Sequence, residues 1–176
     1  MLHSVSPPLA DRKTGLSAFQ TTLVAGLVAG TLDILGVILL YVFVLNGPSP
    51  VQLLQAVASG VFGRSAFTGG WSMAALGLGL HYLIALAWAA IYVWSFPRLP
   101  YLRRQKTLSG VLYGLLVWSV MNLVVVPLSL VSPAPFRWSG AILNLALLVF
   151  LVGLPLAWLV PRFYKKAHAL PNKLPS

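Results

Sequence analysis

SAFQTTLVAGLVAGTLDILGVILLYVFVL, residues 17–45, carries a single charged side chain, Asp33. A helix needs about 20 mostly apolar residues to cross a bilayer, and this run exceeds that length. Lipid offers the backbone no hydrogen-bond partners, so a lone span of this composition must be helical. A carboxylate inside such a span is expensive and asks for a reason.

Three more stretches read the same way: about 72–96, 107–130 and 139–160. The fold class expected is therefore all-α, a polytopic membrane protein with four transmembrane helices. Ser17 and Gln20 have capping-box spacing at the head of the first run. Pro97 and Pro100 end the second. Residues 1–16 form an N-terminal tail, 17–160 the transmembrane domain, and 161–176 a basic C-terminal tail. The N-terminal run is too long for the apolar core of a signal peptide and is expected to stay as the first span.

Composition agrees. Of the 176 residues, 59% are hydrophobic and 8% charged, whereas a soluble domain carries about 25% charged residues. The net charge of +10 falls in short clusters between apolar runs. That pattern suits lipid headgroups and topology, and no base-stacking motif points to nucleic acid. There is no cysteine, which excludes disulfides, iron–sulfur clusters and thiolate zinc sites.

The basic residues also set an orientation. Arg12 and Lys13 precede the first span, Arg98, Arg103, Arg104 and Lys106 separate the second from the third, and Arg162, Lys165, Lys166 and Lys173 follow the fourth. Only Arg64 and Arg137 fall on the opposite side. Both termini are thus expected in the cytoplasm. Trp71 and Trp138 would mark the outer interface, and Trp94 and Trp158 the inner one.

The outer loop contains Ser49–Pro50, a good helix start. From there to about residue 62, Gln52, Gln55 and Ser59 share a face. A short amphipathic helix over about 50–62 is expected, lying on the outer surface or capping the bundle. GRSAFTGG would form the hinge back into span two. A re-entrant segment is disfavoured by the cost of burying Arg64. The four spans also read as two parallel out-and-back hairpins, although identity between the halves is too low to establish duplication.

Small residues suggest helix contacts. Gly26 and Gly30 form a GxxxG pair, and Gly110 and Gly114 repeat the spacing. Tight packing within the chain is the main reading and a dimer interface the second. Pro127 and Pro155 interrupt spans three and four and are expected to kink them.

Four polar residues lie in the central-to-outer half of the spans: Asp33, His81, Asn122 and Asn144. At 1.5 Å rise per residue they should share a depth of about 10 Å. They are expected to form one buried cluster, with Thr31, Ser119 and Tyr82 as satellites. Its bland reading is a hydrogen-bond network that holds the helices in register, Asp33 either carrying a proton or pairing with His81. Its functional reading is a proton or substrate site with Asp33 titrating beside His81. His81 is the only histidine in a span, so one chain cannot supply both axial histidines of a transmembrane haem, and no cofactor or metal is expected.

H-E-x-x-H, G-x-S-x-G and Walker motifs are absent, and no second intramembrane carboxylate is available. No enzyme is expected. AGLVAGTLDILG, SPVQLLQAVASGVFGRSAFTGG, GLGLHYLIALAWAAIYV and SGVLYGLLVWSVMNLVVVPLS together resemble a family of small bacterial inner-membrane proteins of unassigned function. A fainter likeness, in the Gly-rich spans, the intramembrane His and the Pro-containing third span, is to an inner-membrane group linked to acid resistance. The resemblance implies a four-span inner-membrane protein and no catalytic residues. Two functions remain on these grounds. One is a non-enzymatic structural or assembly role with lipid, itself or a larger membrane complex as partner. The other is a proton-linked carrier or pH-responsive protein using Asp33 and His81.

Overall fold

The computed structural model describes residues 16–131 and 138–163. Arg12, Lys13, Arg137, Lys165, Lys166 and Lys173, which contribute to the orientation argument, lie outside the described residues, as do most of both tails. Every regular element among the described residues is helical. The long helices are α1 (Ala18–Val44), α3 (Gly70–Ser95), α5 (Lys106–Leu128) and α6 (Trp138–Phe163). Two short ones accompany them, α2 (Pro50–Phe62) and α4 (Pro100–Arg104). The bounds agree with the sequence reading to within a few residues.

Local chemistry accounts for the starts. Ser17 Oγ accepts from the Gln20 N–H at 3.2 Å, and the Ser17 N–H donates to Gln20 Oε1 at 3.0 Å. The same reciprocal box opens α2, between Ser49 and Gln52. Each box satisfies backbone donors that a helix start leaves orphaned, a contribution of about 1 kcal/mol.

The two prolines act one turn upstream of themselves. Residues Met121–Val125 and Leu148–Gly153 form wide π-helical turns just before Pro127 and Pro155. A proline ring clashes with the carbonyl four residues back and donates no hydrogen bond to it. Widening the preceding turn relieves the clash without ending the helix.

Packing follows the small residues. Gly26 and Gly30 face α3. A Cβ on Gly30 would come within 2.9 Å of the Ala85 methyl, and one on Gly26 within 2.8 Å of Leu86. Gly110 and Gly114 face α6, where a Cβ on Gly114 would lie 2.6 Å from Val149 Cα. α1 also packs on α6, and tyrosines link α3 to α5, so the four long helices close a bundle. Its core contains Ala25, Ala29, Tyr92, Val117, Leu156 and Val160. The Leu16 N–H donates to the Phe163 carbonyl at 2.8 Å, placing the start of α1 beside the end of α6.

Two buried side-chain polar atoms have no hydrogen-bond partner among the described residues, Thr21 Oγ1 and Trp118 Nε1. Thr21 is fully buried. Its isostere valine has no hydroxyl to desolvate. Thr21→Val should therefore melt at or above the wild-type temperature in detergent, by up to roughly 1 kcal/mol. A clear loss of thermal stability would show that the hydroxyl has a role the fold does not reveal.

The short helix α2 corrects one expectation. Of the expected polar face, Gln52 is exposed, but Gln55 and Ser59 are buried with Ala58 between α2 and its neighbours. Gln55 Nε2 donates to the Gly70 carbonyl at 3.0 Å, which ties α2 to the head of α3. Gly77 removes the side chain that would otherwise strike the Leu54 carbonyl. The Leu130 N–H donates to the Gly60 carbonyl at 3.0 Å, tying α2 to the end of α5 as well. The helix thus bridges both hairpins at one end of the bundle.

Candidate functional site

A cavity of about 140 Å³ lies inside the bundle. Each long helix contributes to it: Asp33 from α1, His81 and Trp88 from α3, Val117 from α5 and Val152 from α6. Val57 reaches it from α2. Because α2 spans the head of α3 and the tail of α5, it covers the cavity from that end.

The glycine pair on α1 creates the key polar contact. Gly30 lets α1 and α3 approach closely enough for His81 Nε2 to bond the Gly30 carbonyl at 2.8 Å. A carbonyl can only accept, so Nε2 carries a proton, and Nδ1 is the remaining ring nitrogen. The next residue, Tyr82, meets Thr31 Oγ1 at 2.8 Å. Its ring stands edge-on to His81 with centroids 5.6 Å apart.

Asp33 sits in the same cavity and within electrostatic reach of His81. Its carboxylate accepts no hydrogen bond from any described residue. The other two expected members are elsewhere. Asn122 donates to Asn144 Oδ1 at 3.4 Å and to the Trp118 carbonyl at 2.9 Å, and neither asparagine lines the cavity. The reason is helical phase. Met121 lines the cavity, and Asn122 is turned about 100° away from it. The single cluster expected from depth is therefore two pairs, Asp33 with His81 and Asn122 with Asn144.

Sequence reasoning missed a third polar group. Tyr92 and Tyr113 are buried with rings edge to face at 4.8 Å. The Tyr113 hydroxyl donates to the Trp88 carbonyl at 2.5 Å, and the Tyr92 hydroxyl meets Ser109 Oγ at 3.2 Å. Tyr92 and Tyr113 border a second cavity of about 200 Å³, between α3, α4 and α5. Trp88 borders the first. The aromatic layer therefore stands between the two. Tyrosines inside apolar runs were the available signal.

The outside of the bundle decides its environment. In the most apolar window of each long helix, mean hydropathy is between 1.8 and 2.4, and only 17–22% of residues are buried. Leu35, Leu39, Leu83, Leu123 and Phe150 point outward. An apolar surface of this extent cannot face water. This is a multi-pass integral membrane protein. Trp71, Trp138, Trp94 and Trp158 are all exposed near the ends of its long helices, where an interfacial belt would lie. Arg98 at the end of α3 covers the Trp94 ring at 4.1 Å. Comparison with known proteins yields no match to a family model, a curated protein or a solved structure.

Proposed function

We propose that this membrane protein is a non-enzymatic, proton-linked carrier or pH-responsive protein, with Asp33 as its titrating group and His81 as its partner. One observation carries the reading: the Asp33 carboxylate opens on an intramembrane cavity without a hydrogen bond from any described residue. Magnitudes favour function over scaffolding. An acidic residue at the centre of a span costs about 2.5–3.5 kcal/mol on insertion scales, and each interhelical hydrogen bond returns about 0.6 kcal/mol. Asp33 makes none with the described residues, so helix registration does not offset its cost. Asn122, in contrast, bonds the Trp118 carbonyl on its own helix at 2.9 Å and reaches Asn144 on the next at 3.4 Å.

Small-residue pairs would support assembly as a dimer interface. Gly26, Gly30, Gly110 and Gly114 are all occupied by neighbours in the same chain, which leaves that reading without its main support. The Lys and Arg distribution favours both termini and the Arg98–Lys106 loop in the cytoplasm, and the family resemblance implies the inner membrane.

Trp88 provides the readout because it lines the cavity with both residues. In lipid nanodiscs, wild-type protein should show a pH-dependent change in tryptophan emission that Trp88→Phe removes. Asp33→Asn should abolish or displace the transition while circular dichroism and size remain unchanged. If Asp33→Asn titrates as wild type does, Asp33 is not the responsive group.

A further inference from the structure

Acceptors set the charge of the Asp33 cavity. Asp33 offers only acceptor oxygens when ionised. His81 has committed its Nε2 proton to Gly30, so a neutral ring has only an acceptor, Nδ1, left to offer. Trp88 adds an aromatic side chain, a type whose face attracts cations. The rest of the wall is hydrocarbon. An anion would find the Trp88 indole N–H as a donor but would face the Asp33 carboxylate, which repels it, and a neutral alcohol would gain nothing from a carboxylate that it could not gain from water.

A bare metal cation fits poorly. Calcium and magnesium require six or more oxygen ligands, and no group of three potential metal-binding side chains occurs among the described residues. An organic ammonium needs far less, because its own carbon skeleton fills the apolar space. The volume sets its size. A cavity of about 150 Å³ takes up benzene, so about 140 Å³ suits an alkylammonium of about six heavy atoms.

We infer that the cavity binds a small primary alkylammonium, with its N–H groups on Asp33 and its hydrocarbon against Val117 and Val152. The inference rests on the reading of Asp33 as a titrating group and adds what exchanges with the proton. The carboxylate cannot be protonated and ion-paired at once, so binding and protonation exclude one another. By linkage, the apparent affinity falls as pH drops through the titration of Asp33. His81 is the other titratable group at the cavity. α2 contributes Val57, α5 Val117 and Met121, and α6 Leu148 and Val152.

Cyclopentylammonium and cyclopentanol are matched in size and differ in charge. Calorimetry on purified protein in detergent, with empty micelles subtracted, should give at least about tenfold tighter binding of the amine, the scale expected of a charge-assisted hydrogen bond. Asp33→Asn should erase that preference. Val57→Trp keeps every polar group and fills the space, so it should abolish amine binding and serves as the test if Asp33→Asn does not fold. Equal binding of the two probes overturns the inference, as does a preference that survives Asp33→Asn or binding that survives Val57→Trp. The two readings fail separately. A Trp88 pH response without amine preference removes the ligand alone, whereas loss of the pH response removes the titrating site beneath it.

Discussion

Gly153→Val should leave most of the protein unfolded or aggregated on extraction, a loss of about 3 kcal/mol or more, at the upper end of overpacking costs. Gly153 lies in the wide turn of α6, where it meets α5 backbone to backbone. Any Cβ there would collide with the Gly110 carbonyl oxygen and come within 2.9 Å of the Gly114 nitrogen. Neither obstacle is a flexible side chain, so one helix must move away from the other. In lipid that is severe, because close van der Waals packing is the main force between helices. The measurement is the folded fraction in a detergent melt, with Gly140→Val as the control, since a Cβ at Gly140 meets nothing within 4 Å. Equal melting of Gly153→Val and wild type would mean that α5 and α6 are not in this contact.

Gly77→Val should free α2 while sparing the bundle. The new side chain would strike the Leu54 carbonyl, which belongs to the short helix and not to a long one. The Gln55–Gly70 and Gly60–Leu130 bonds then remain to tether α2. The chain contains no cysteine, so Val57→Cys provides a label site without background. Its modification by a small maleimide should accelerate at least about tenfold in the Gly77→Val background, corresponding to about 1.4 kcal/mol off the cost of opening. An unchanged rate would place the cover of the cavity elsewhere.

The sequence revealed lengths, ends and depths, but not directions. Four apolar runs with their caps and prolines locate the long helices, and counting residues puts Asp33 and His81 at one level. Which face of each helix turns inward is a different matter. In a soluble helix the apolar stripe marks the core. Here the helices are apolar all round, so nothing in the periodicity distinguishes Met121, at the cavity, from Asn122, on the outside. The same ambiguity hid the inward face of α2, where Gln55 and Ser59 are buried because they find partners. Gly77 and Gly153 show a further limit. Each matters because a backbone from another element passes over it, and sequence spacing within one helix carries no trace of that. Tyr92 and Tyr113 read as ordinary aromatic filling until their hydroxyls are seen bonded across helices.

The aromatic layer also has an electrical consequence. Trp88 borders one cavity, while Tyr92 and Tyr113 border the other. If both hold water, most of the membrane voltage drops across the thickness of these rings. Moving one elementary charge through 100 mV involves about 2.3 kcal/mol, more than an interhelical hydrogen bond such as Tyr113 to Trp88 contributes. With water in both cavities, the insulation would rest on how tightly the rings are packed, and far less on the hydroxyl that joins them.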